Sequence, residues 1–167
     1  FSAGMDLSVF TGGDVLTEGS DGASGGDSNE VGRQRANLRT NAMHLQRSFS
    51  VLEEARMPVL VAIQGGAVGG AVDMVTAADC RYATEDAWFC IQEINIGMTA
   101  DVGTLQRLPK LIPDGVVREL AYTGDRMPAQ RAKEVGLVNE VYADQATMLE
   151  NVLGIAGRIA SKSPLAV

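Results

Sequence analysis

The sequence predicts an α/β layered domain, and three observations carry that prediction. The run VLVAIQ at 59–64 is β-branched, apolar on both faces and short, which marks a strand covered on both sides. Ahead of it, Leu38, Ala42, Leu45, Phe49 and Leu52 recur at spacings of four and three, one stripe of an amphipathic helix over 33–56, and Pro58 stops that helix from continuing. Beyond it, strand-like and helix-like patterns alternate to the end of the chain, as they do in layered α/β folds.

The elements follow in order. Gly65 and Gly66 predict a turn after the first strand. A helix from 68 or 69 to about 78 puts Gly69 and Gly70 at an N-terminus, where backbone N–H groups lack partners within the helix and attract negative charge. Residues 80–83 and 87–91 read as strands, 102–111 and 114–123 as helices. Pro128 suits the first position of a further helix and Gly136 the position just past its end. A strand over 137–142 follows, and Asp144 is the expected N-cap of the last helix. Residues 11–32, rich in Gly, Ser and Asp, bury too little apolar area to offset their ordering and are expected to form a mobile surface loop. The whole chain, 1–167, is expected to be one domain, with both ends reading as cut.

Composition excludes several functions. A chain of 167 residues that is 46% hydrophobic can bury a core, while no apolar run approaches the roughly 20 residues a membrane span needs. The formal charge of −7 argues against nucleic acid as a partner, because phosphate recognition needs a basic face. Cys80 and Cys90 are too few for a disulfide framework and are expected to be buried thiols in a reducing compartment. His44, the one histidine, falls in the long helix and reads as solvated or packed rather than catalytic. GGAVGG at 65–70 fails the dinucleotide-binding spacing, since Ala67 stands where a glycine is required, and no Lys-Ser or Lys-Thr follows for a P-loop. No G-x-S-x-G elbow occurs, and ligands for a zinc site are lacking.

What remains is a set of carboxylates. Asp73, Glu93 and Asp101 lie in two Gly-rich, otherwise apolar stretches. An ionised carboxylate in apolar surroundings is costly unless it is paired, hydrogen-bonded or shifted in pKa, so three together point to proton transfer.

FSAGMDL at 1–7, IQGGAVGGAVDMVTAADCRYA at 63–83, EINIGMTADVGTLQRLPK at 93–110 and the A-x-x-x-G-L-V segment at 132–138 resemble, in that order, the crotonase or enoyl-CoA hydratase/isomerase superfamily. The resemblance implies a β-β-α superhelix with helices packed around small sheets, acting on an acyl-CoA thioester without metal or redox cofactor. It also implies an oxyanion hole made by the backbone N–H groups of Met5 and Gly70, with Ala3, Gly4, Gly69 and Gly97 as further substrate-binding positions. Removal of the α-proton of an acyl-CoA places negative charge on the thioester oxygen, and fixed donors stabilise it.

Hydratases of this family position water with two glutamates, and their places are held here by Asp73 and Glu93. Asp101 falls where hydratases carry a glycine. The set Asp, Glu, Asp is similar instead to the branch that moves a 3,5-diene to the 2,4 position of an acyl-CoA. On that resemblance Asp101 is the base at C2, Glu93 the acid toward C6, and Asp73 orients or tunes the pair. An apolar wall for the acyl chain is expected from some of Trp88, Phe89, Ile91, Ile96 and Met98, and turn or close-approach roles from Gly97 and Gly103. The alternatives are an enoyl-CoA hydratase, with water held between Asp73 and Glu93, and a noncatalytic acyl-CoA-binding protein. A homotrimer or homohexamer is implied, located in the cytoplasm of a bacterium or in the mitochondria or peroxisomes of a eukaryote.

Overall fold

The computed structural model describes residues 1–4 and 31–167. Met5 and most of the loop expected over 11–32 lie outside the described residues. In chain order the elements are α1 (Val31–Glu53), β1 (Leu60–Ile63), β2 (Gly66–Val68), α2 (Gly70–Thr76), β3 (Cys80–Thr84), β4 (Trp88–Cys90), a 3-10 turn (Gln92–Ile96), α3 (Thr104–Arg107), a second 3-10 turn (Leu108–Lys110), α4 (Asp114–Thr123), β5 (Met127–Pro128), α5 (Ala129–Glu134), β6 (Glu140–Tyr142) and α6 (Gln145–Ala160).

These strands build two small sheets, ordered β1-β3-β6 and β2-β4-β5. β1 runs parallel to β3, with Leu60 opposite Cys80, and β2 runs parallel to β4, with Gly66 opposite Trp88. Each of the first two turns of the chain therefore lays one strand in each sheet before a helical segment, and the third adds β5 and β6 one strand spacing further on, with α5 between them. That is the β-β-α superhelix. Gly65, at φ +61°, makes the corner between sheets, a left-handed conformation that costs glycine nothing. The N-terminal segment adds to the edge of β2: Ser2 N–H donates to Gly66 O at 2.9 Å and Val68 N–H to Ser2 O at 3.1 Å.

The main core lies between the layers, where Ile63, Val75, Phe89, Leu108 and Leu137 are sealed from solvent. A second cluster, Tyr82, Met148 and Val152, packs α6 on the outer face of the β1-β3-β6 sheet. Asp144 caps α6 as expected, accepting from Thr147 N–H at 2.8 Å. No described helix is long and apolar enough to cross a membrane.

The structure corrects several expectations. The segment after Gly65 is a strand, since Gly66 pairs with Trp88 and has no room for a side chain: a Cβ there would stand 2.7 Å from the indole. Pro128 belongs to the two-residue strand β5 and precedes α5 rather than opening it. Only 140–142 of the strand expected over 137–142 pairs, while Leu137 and Val138 pack in the core. Residues 102–111 divide into α3 and a 3-10 turn, because Pro109 cannot continue an α-helical ladder. α1 begins at Val31, inside the range expected to be loop. Of the stripe on α1, Leu38 and Leu45 are exposed. Cys80 is half-buried, while Cys90 is buried.

Candidate active site

Each carboxylate is delivered by a different element. α2 is short, and Asp73 lies on it three residues after Gly70, which is one turn and hence the same face. Glu93 sits in the first turn of the 3-10 segment that follows β4, and Asp101 in the turn before α3. Because β2 and β4 are neighbours, the start of α2 and the start of the 3-10 turn emerge side by side. Gly69 N–H donates to Cys90 O at 2.9 Å, and a Cβ on Gly69 would stand 3.3 Å from Glu93 Oε1. Gly69 adopts φ +54°, so the approach of Glu93 and the backbone conformation both favour glycine there.

The result is one pocket of about 280 Å³ with mostly apolar walls. Asp73, Glu93 and Asp101 line it together with Ala3, Gly4, Gly69 and Gly70. Gly97 is not among the lining residues; it ends the 3-10 turn at φ +73°, and its place in the site is to let Met98 N–H reach back to Glu93 O at 2.9 Å. Of the expected apolar wall, Ile96 and Met98 line the pocket. Phe89 and Ile91 are core, and Trp88 stacks under the Arg126 guanidinium at 4.0 Å.

The three acids differ in environment. Asp73 is fully buried, and its Oδ1 accepts from Thr104 N–H at 2.6 Å and from the Thr104 hydroxyl at 2.8 Å. Among the described residues its Oδ2 is buried without a partner, as is Glu93 Oε2. Burial pushes the Asp73 carboxyl above its ordinary range; the two Thr104 donors and the charge of Arg107 oppose this, and Asp101 adds to it. Burial also pushes Glu93 up, against one backbone hydrogen bond, and the charges of Asp73 and Asp101 reinforce the rise. Asp101 is exposed at the rim, where its backbone carbonyl accepts from Gln46 Nε2 of α1 at 2.8 Å. The site thus holds two carboxyls that burial pushes above their ordinary range and one that meets solvent.

Gly70 is the first residue of α2, and its N–H is one of those a helix leaves without an intrahelical partner. α2 has only seven residues, so that local donor matters more than any summed helix dipole. Gly4 lies beside it: a Cβ on Gly4 would stand 3.5 Å from Gly70 N. The residue after Gly4 is Met5, the other expected donor, which is outside the described residues. Among the described residues, no His, Cys, Asp and Glu side chains group as a metal site.

Four participants escaped the sequence. Phe49 and Met74 line the pocket, although Phe49 reads only as one member of a helical stripe. Thr104 holds Asp73 across 31 positions of chain, and no local pattern announces that bond. Arg107, nearly buried, ties α3 to α1 through Glu53 at 2.8 Å and Ser50 at 3.2 Å.

The family model for enoyl-CoA hydratase/isomerase matches residues 10–167. Over its full length the chain is 43% identical to the human protein named mitochondrial Delta(3,5)-Delta(2,4)-dienoyl-CoA isomerase, covering 48% of that protein. It is 39% identical to the peroxisomal protein of that name from Arabidopsis thaliana, again over all of this chain and 57% of the relative. A crystal structure of an enoyl-CoA hydratase from Bacillus anthracis superposes with a TM-score of 0.73 at 36% identity, covering 81% of this chain and 54% of that one. The chain spans about half the length of the curated relatives it matches.

Proposed function

Because the chain belongs to the enoyl-CoA hydratase/isomerase family, we propose that it carries the catalytic core of a dienoyl-CoA isomerase, which moves a 3,5-diene of an acyl-CoA to the 2,4 position. The observation that carries this reading is the presence of three carboxyls of unequal burial around one apolar pocket, beside the Gly70 N–H, which has no partner within α2. A hydratase needs two acids to handle one water. A diene shift must take a proton from C2 and deliver one to C6, which calls for acid and base groups set apart.

Asp101, at the solvent-facing rim, takes the proton from C2. The electron pair moves onto the thioester oxygen, where the N–H groups of Gly70 and Met5 stabilise the dienolate. A missing donor of this kind typically costs about 3–4 kcal/mol of barrier. Glu93, whose carboxyl burial pushes above its ordinary range, gives a proton to C6 as the electron pair returns through the conjugated chain. No cofactor takes part, since the CoA group belongs to the substrate.

A second reading rests on the two unpartnered oxygens, Asp73 Oδ2 and Glu93 Oε2. Two such acceptors lining one pocket suit a bound water, as enoyl-CoA hydration requires. Ultraviolet absorbance separates the readings. Growth of the 2,4-dienoyl thioester band from a 3,5-dienoyl-CoA is expected; loss of a 2-enoyl-CoA band with no change in the dienoyl sample favours the hydratase.

The exposed apolar side chains Leu38, Met43, Leu45 and Val51 on α1 support assembly into a trimer or hexamer, which light scattering would measure. The compartment follows the source, mitochondrial or peroxisomal in a eukaryote and cytoplasmic in a bacterium.

A further inference from the structure

Thr104 N–H and the Thr104 hydroxyl both donate to the same oxygen, Oδ1 of Asp73, at 2.6 and 2.8 Å. A carboxyl oxygen has two lone pairs, so this pair of bonds fills Oδ1. Oδ2 of the same group is buried with no partner among the described residues, on a residue that lines the pocket. We propose that Thr104 is a positioning residue that confines the proton of Asp73 to Oδ2, making Asp73 a one-sided acid and acceptor toward the pocket.

A proton on Oδ1 would face two donors and forfeit at least one of their bonds, whereas a proton on Oδ2 keeps both. The group therefore exchanges its proton from one oxygen only, the one without a partner among the described residues. Thr104 itself is sealed from solvent, and as the first residue of α3 its N–H has no partner within the helix to compete with Asp73. Other charges bear on Asp73 from the neighbouring elements: Glu93 from the 3-10 turn, Asp101 from the turn before α3, and Arg107 from the end of α3, itself paired with Glu53 of α1. Thr104 alone among these contacts Asp73 by hydrogen bond.

This inference deepens the isomerase reading and rests on it only for its kinetic consequence, so the test has two arms. The first is a carbon-13 NMR titration of the Asp73 carboxyl in the wild-type chain, Thr104→Val and Thr104→Ser. Valine keeps the volume and removes the hydroxyl donor that stabilises the anion, so the Asp73 midpoint is expected to rise in Thr104→Val and to return in Thr104→Ser. An unchanged midpoint in folded Thr104→Val overturns the proposal, whether or not the protein isomerises dienes. The second arm is kinetic: Thr104→Val is expected to lower kcat about tenfold or more with KM little changed, and to move the limb of the pH profile that follows Asp73 to higher pH. Serine should recover most of that loss. A shifted midpoint with unaltered kcat and pH profile overturns the positioning role. Absence of turnover in the wild type counts against the isomerase reading and leaves the titration to decide on Thr104.

Discussion

Arg107 occupies the space that a side chain on Gly103 would need. A Cβ built on Gly103 would stand 1.6 Å from Arg107 Nη1, and Gly103 adopts φ +140°, a conformation other residues rarely reach. From that position Arg107 bonds Glu53 and Ser50 of α1, so the absence of a side chain at 103 is what lets α3 and its Thr104 lock against the long helix.

Gly103→Ala should therefore both strain the backbone and dislodge the guanidinium. A loss of about 2–4 kcal/mol is expected from urea unfolding. A loss below 1 kcal/mol would mean that the arginine finds an equivalent seat.

Gly4 is restricted for a different reason. Its φ is +84°, and a Cβ there would lie 2.6 Å from Val68 O, a backbone atom that cannot swing aside. Gly4→Ala should push the first residues off β2 and displace the donor that follows them. Turnover of dienoyl-CoA is expected to fall about a hundredfold or more, with the midpoint of thermal unfolding changed by a few degrees at most, since the segment contributes no residue to the buried core clusters.

The raised carboxyls at Asp73 and Glu93 make a signed statement about pH. A carboxyl whose pKa is higher folded than unfolded holds more protons in the native state, so its contribution to stability is complete below the unfolded value, roughly 4, and is lost as pH rises through the folded value. Glu140, paired with Lys133, and the capping Asp144 are depressed and act in the opposite sense. The clean measurement is thus a difference: the unfolding free energy of the wild type minus that of Asp73→Asn or Glu93→Gln should fall between pH 4 and 8. A flat difference would mean that burial leaves the carboxyl at its ordinary pKa, and a rising one that hydrogen bonds and neighbouring charge outweigh burial.

Asp101 is exposed, so its replacement tests chemistry with little cost to packing. Asp101→Asn is expected to lower isomerisation by about two to four orders of magnitude while an acyl-CoA still binds, as followed by calorimetry. Near-normal turnover would remove Asp101 from the mechanism.

Much of this architecture was legible because it is written in local periodicity. Helix α4 falls over the expected residues, the Gly69–Gly70 pair does open α2, and Asp144 does cap α6. The short strands β2 and β5 were not legible. Three residues such as Gly66–Val68 carry no period of their own and become a strand only because Trp88–Cys90 lies alongside. The candidate site divides in the same way. Its acids stood out as charges in apolar sequence, whereas Phe49 was hidden in a stripe that any amphipathic helix displays.

The sequence by itself determined which residue types stand where: strand and helix patterns alternating along the chain, a glycine corner at 65, and acids at 73, 93 and 101. These follow from backbone sterics and side-chain spacing, which act within a few residues. Only the tertiary structure decided that Asp73 is dry and bound on one oxygen, that Glu93 is desolvated and that Asp101 meets water. Desolvation and hydrogen bonding depend on which atoms surround a carboxyl, and here those atoms come from segments as far apart in the chain as Thr104 is from Asp73.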